Sequence, residues 1–68
     1  MLIMSGTVLK VIPPKTAGKS KTVRILCEDQ IYGVSCPEAL AAEPGTAIEI
    51  PVRLKEYQGR SFFVYAED

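Results

Sequence analysis

The sequence contains no histidine and only two cysteines, Cys27 and Cys36, in 68 residues. Lack of histidine removes the commonest general base and the commonest metal ligand, and two thiols are too few for a metal site or a disulfide framework. No carboxylate pair lies in an apolar stretch, and no evident base flanks either cysteine or any serine. Nothing therefore activates a nucleophile, and catalysis is not expected. No apolar run is long enough to cross a bilayer, and Met1-Leu2-Ile3-Met4 lacks the basic flank of a signal peptide. These absences predict a cytoplasmic binding protein with inert thiols, no cofactor, no metal and no membrane partner.

A net charge is missing as well, since eight basic and eight acidic side chains sum to zero. That balance argues against a surface made wholly for polyanions. The distribution is less even than the sum. Lys10, Lys15, Lys19, Lys21 and Arg24 follow one another with no acid between them, and Glu28, Asp29, Glu38, Glu43 and Glu49 follow with no cation. A molecule folded from such blocks is expected to carry one positive and one negative face.

What is present is a globular mix, 47% hydrophobic and 24% charged, in a length that supports a single domain over residues 1–68. Thr7–Ile12 is rich in β-branched residues and Pro13-Pro14 closes it, which makes a first strand. The polar stretch Lys15–Ser20 reads as an exposed loop. Lys21–Cys27 alternates, with Val23, Ile25 and Cys27 on one face and Thr22 and Arg24 on the other. Ile31–Cys36 is a third strand after the turn residues Glu28-Asp29-Gln30. A turn at Asp29-Gln30 would set Cys27 opposite Tyr32 and Cys36 opposite Val23, leaving no disulfide between the thiols. Pro37–Glu43 has proline for a first helical turn, Glu38 for the helix dipole and alanines with Leu40, so it predicts a short helix. Pro44-Gly45 stops it. Thr46–Lys55 alternates most cleanly, with Ile48, Ile50, Val52 and Leu54 expected inside and Glu49, Pro51, Arg53 and Lys55 outside. A turn over Glu56–Arg60 leads to a fifth strand, Ser61–Tyr65, followed by the acidic end Ala66-Glu67-Asp68.

Three strands, a short helix and two strands is the order of the OB-fold, a five-stranded Greek-key barrel. The expected class is thus all-β, a small OB-fold-like barrel with a helix between strands three and four. On that fold, oligonucleotides lie across strands two and three and the loops after strands one and four. Those elements hold Lys15, Lys19, Lys21, Arg24, Tyr32, Tyr57 and Arg60, with Arg53 and Lys55 just before the last loop. Cations meet phosphates, and aromatics stack on unpaired bases. Tyr32 shares the face of Val34, so it is either a stacking platform or half-buried core; Tyr57 at a hairpin tip has no packing role. Phe62 and Phe63 point to opposite faces, so one is core and the other contacts a ligand or a second subunit. Gly18-Lys19-Ser20 matches the end of a phosphate-binding P-loop, but Pro13 stands where that loop needs glycine and a strand follows where it needs a helix.

Three stretches, Gly18-Lys19-Ser20-Lys21, Glu43-Pro44-Gly45-Thr46 and Tyr57-Gln58-Gly59-Arg60-Ser61-Phe62, give the chain a likeness to a known family. It resembles the small single-stranded-DNA-binding proteins of filamentous phages, the gene V protein type. The resemblance implies a homodimer that coats single strands, with Lys19, Lys21, Arg24, Tyr32, Tyr57, Arg60 and one of Phe62 or Phe63 in contact. The expected function is non-catalytic binding of single-stranded nucleic acid, DNA before RNA. Zero net charge and few aromatics favour an alternative, a protein-interaction module or small regulatory subunit that docks on a protein partner.

Overall fold

The structure, a computed structural model, describes residues 2–16 and 18–66; the acidic pair Glu67 and Asp68 lies outside them. Five strands form: β1 (Leu2–Ile12), β2 (Lys21–Cys27), β3 (Gln30–Cys36), β4 (Ala47–Tyr57) and β5 (Arg60–Tyr65). They make one sheet that closes on itself in the order β1-β2-β3-β5-β4, with β4 paired back to β1. All neighbours are antiparallel except β3 and β5.

Closure depends on β1, which is longer than the β-branched run Thr7–Ile12 implied. Its first half, Leu2 to Thr7, pairs with β4, and its second half, Thr7 to Ile12, pairs with β2. Two local features bend it. Gly6 passes so close to the backbone carbonyl of Leu26 that a Cβ there would overlap the oxygen. A bulge between Val8 and Lys10 then shifts the register against β2, and bulges sharpen the bend and twist of a strand. At the bend the Val8 N–H donates to the Thr46 carbonyl at 2.9 Å, and the Gly45 N–H donates to the Val8 carbonyl at 2.7 Å.

The β2–β3 hairpin turns on Glu28 and Asp29, with φ of 49° and 67°. Two successive left-handed residues match the twist of the flanking strands. This turn lies one residue earlier than the sequence reading placed it. Cys27 therefore faces Gln30 rather than Tyr32, and Cys36 faces Lys21 rather than Val23. The observed register keeps Asp29, which tolerates the left-handed region, in the turn and puts Gln30 into the ladder. Both thiols are free.

The helix expected over Pro37–Glu43 does not form, and no helix occurs among the described residues. A single turn closes by the Leu40 N–H donating to the Pro37 carbonyl at 3.1 Å, and the chain then runs irregularly to Pro44. Seven residues are too few for a helix without strong tertiary support, and Pro44 turns Glu43 away from helical angles. Lys21 supplies a competing arrangement, its Nζ donating to the carbonyls of Leu40 and, at 3.2 Å, Glu38. Leu40 and Ala42 pack against the core from this loop. No helix of the structure is long and apolar enough to cross a membrane.

The core is Met4, Val8, Val23, Ile25, Val34, Cys36, Ile50 and Val52, with no buried polar or charged residue among those described. Leu54, expected inside, is 56% exposed. β1 pairs with β4 only as far as Leu2 opposite Val52, whereas β4 and β5 stay paired to Tyr57 opposite Arg60. The end of the β4–β5 hairpin thus projects beyond the interior that Leu54 would otherwise enter.

Two outcomes are expected from this packing. Gly6→Ala should destabilise the protein by about 1–3 kcal/mol, the usual effect of forcing atoms into a filled site, read as a lower midpoint in urea. Burial pushes the Cys36 thiol above its ordinary range, opposed in part by the nearby Lys21 charge. The unfolded chain then ionises first, so this contribution is present below the ordinary thiol pKa of about 8.5 and is lost as pH rises through the folded value. The stability difference between wild type and Cys36→Val should shrink between pH 7 and pH 10 in paired urea titrations. Cys27, half-buried at a strand end, should react with a thiol reagent well before Cys36.

Candidate functional site

Residues directly opposite each other in a ladder point to the same face, so the pairings define rows across the outside of the sheet. One row stands out by its chemistry. Lys10 on β1 pairs with Arg24 on β2, and Arg24 pairs with Gly33 on β3. The parallel bridges Val34–Phe63 and Ser35–Val64 bring Phe62 of β5 next in line with Gly33. Phe62 in turn pairs with Lys55 of β4. Lys10, Arg24, Gly33, Phe62 and Lys55 thereby follow one another around the outside of the closed sheet through all five strands, about 19 Å along its curve at ~4.8 Å per strand spacing.

The flanking rows extend this surface. On one side Ile12, Thr22, Ser35, Val64 and Arg53 follow one another through direct pairings. On the other, the projecting hairpin places Tyr57 opposite Arg60 on the face of Lys55 and Phe62. Tyr57 is 66% exposed beside the left-handed Gln58-Gly59 turn, and Phe62 is 38% exposed. No acidic residue belongs to any of these rows. Glu56 pairs with Ser61 on the opposite face of the hairpin, and Glu49 pairs with Ser5 on the wall formed by β1 and β4. Glu28 and Asp29 occupy a turn, and Glu38 and Glu43 the loop after β3.

The sequence-predicted residues therefore divide. Arg53, Lys55, Tyr57, Arg60 and Phe62 gather on the outer face of the β4–β5 ladder, and Arg24 lies with Lys10 farther around the barrel, across Gly33. Lys15 and Lys19 are exposed in the β1–β2 connection; Lys19 borders a polar recess with Ser20, Ser35 and Glu38. Lys21 sits at the end of β2 with its ammonium bonded to loop carbonyls, so it holds the fold together there. Tyr32 is half-buried and turned inward, its ring edge-to-face with Phe63 at a centroid distance of 5.6 Å and an interplanar angle of 86°. Phe63 packs on the core, which leaves Phe62 as the outward member of the pair.

Two members of the row, Lys10 and Gly33, were not singled out by sequence reasoning. Lys10 counts within the basic block, yet only the bulge at Leu9 sets it beside Arg24. Gly33 left a signal in the sequence, since a glycine inside a strand often marks a close approach by another group. Among the described residues no three His, Cys, Asp or Glu side chains cluster as a metal site would require. Comparisons with protein-family models, curated proteins and solved structures find no match for this chain.

Proposed function

We propose that this protein binds single-stranded nucleic acid, DNA before RNA, on the outer row from Lys10 to Lys55 of an OB-fold-like five-stranded Greek-key barrel that lacks the interstrand helix. The observation that carries the reading is the register. It sets Lys10, Arg24 and Lys55 in one row with an exposed phenylalanine and adds Arg53, Arg60 and Tyr57 in the rows beside it, with no acid in those rows. The cations answer the phosphates of a single strand, and each aromatic ring can stack one unpaired base for about 1–3 kcal/mol. A duplex offers the same phosphates with its bases already stacked. The row's length suits the shortest sites such folds use, about four nucleotides. Two free thiols fit a reducing compartment, the cytoplasm.

A second reading rests on a different observation. Leu2, Ile3, Met4, Cys27, Tyr32 and Phe63 border an apolar groove at the end where the β2–β3 turn lies, and Leu2, Ile3 and Leu54 are largely exposed. Such a patch suits a protein partner, including a second copy of the chain.

Titration of a labelled single-stranded oligonucleotide by fluorescence anisotropy tests the first reading. Three or four contacting cations imply a slope of log K against log salt of roughly −2 to −3. Replacing Arg24 and Lys55 by alanine should flatten that slope. Phe62→Ala or Tyr57→Ala should weaken binding by about 1–3 kcal/mol and leave the slope nearly unchanged. Lys21→Ala should lower the melting temperature and leave the slope as it is. Absence of binding at low salt, or equal affinity for duplex, would overturn the nucleic-acid reading in favour of the protein-docking one.

A further inference from the structure

Gly33 is the one glycine of the five that neither backbone angle nor packing explains. Gly18, Gly45 and Gly59 adopt φ of 86°, 87° and 77°, a region in which side chains are strained, and Gly6 touches a carbonyl oxygen. Gly33 has no such angle. A Cβ added to it would meet only the Thr22 methyl group, at 3.5 Å, an ordinary van der Waals contact. A glycine inside a strand weakens it, because it loses more freedom on folding and offers no side chain to pack. The fold therefore bears a disadvantage at this position without a compensating structural gain.

The neighbours of Gly33 supply a reason. It lies at the centre of the outer row, between Arg24 on one side and Phe62 on the other. The β3–β5 ladder begins at Val34, so toward β5 the peptide of Gly33 lies beyond the last bridge. Thr22 and Ser35, paired with each other, stand next along the same face with their hydroxyls. The result is a floor of bare backbone flanked by a guanidinium and an aromatic ring, with hydroxyls one step away. A planar, uncharged group fits that floor; a phosphate does not need it, since the cations reach phosphates from the rim.

We infer that Gly33 is the seat of a single unpaired nucleobase, which lies against the strand backbone between Arg24 and Phe62. This rests on the nucleic-acid reading above and adds to it where the base goes. Any side chain at residue 33 would stand in the base's place while improving the strand. The seat reads the presence of a base and tolerates its identity, because a backbone floor meets every base through its π-face.

Gly33→Ala and Gly33→Val separate the seat from the fold. Both should melt at or above the wild-type temperature. Wild type should bind a base-bearing single strand about tenfold or more tightly than an abasic strand of equal length and charge, the order expected from stacking. Gly33→Val should lose most of that preference, with its slope against salt unchanged, and Gly33→Ala should lose part of it. If wild type prefers bases and Gly33→Val prefers them equally, the seat is overturned and the proposed function stands. If wild type binds neither strand at low salt, the function falls and the seat with it. If both variants melt well below wild type, the fold itself needs the glycine and the inference fails on its premise.

Discussion

Everything in this molecule depends on one strand having to serve two neighbours that lie in different directions. β1 gives its first six paired residues to β4 and its last to β2, and Thr7 belongs to both ladders. A straight strand would leave an open sheet with unpaired edges, an invitation to edge-to-edge association. The bend is made by a glycine where the backbone meets the Leu26 carbonyl and by an extra residue at Leu9. Met4 and Val8 are both buried although they lie on different sides of the bend, so the same device that closes the sheet also completes its core.

The same bend has a consequence on the outside. Because the bulge shifts register by one residue, Lys10 pairs with Arg24, while Val8 pairs with Ile25 in the interior. The hairpin at the far end adds the remaining cations by a simpler rule, since β4 and β5 outrun the other strands and keep pairing without a core beneath them. Exposed Leu54 and Tyr57 follow from that excess length. Surface chemistry and closure thus come from the same irregularities, and a change that straightened β1 would disperse the cation row as it opened the sheet.

The alternation of Lys21–Cys27 and Thr46–Lys55 made β2 and β4 legible, because period two is a local property of the sequence. Other features were not local. Leu2–Met4 is a strand only because β4 pairs with it, and at Gly6 the strand bends without ending. Pro37–Glu43 has the composition of a helix, yet Lys21, sixteen residues before Pro37, holds the carbonyls of Glu38 and Leu40 in another arrangement. Of the candidate site, cations and aromatics could be counted from the sequence, but which of them share a face could not. Lys21 and Arg24 are three residues apart on one strand, and that odd spacing sends one to the interior end and the other to the outer row. Phe62 and Phe63, adjacent on β5, divide in the same way, Phe63 against the core and Phe62 outward.

Zero net charge does not by itself weigh against a polyanion ligand, because the relevant quantity is the potential at the row. At physiological ionic strength the Debye length is about 8 Å, and the molecule measures 28 × 25 × 23 Å. Glu49 lies on the wall of β1 and β4, and Glu56 faces away from the row across the hairpin. A ligand in contact with Lys10, Arg24, Arg53, Lys55 or Arg60 meets those charges inside one Debye length, and charges beyond it are largely screened. What neutrality does remove is long-range attraction. Binding on such a surface would be governed by contact, through a few phosphates and one or two stacked bases, and its selectivity for single strands would come from the bases because charge alone cannot provide it.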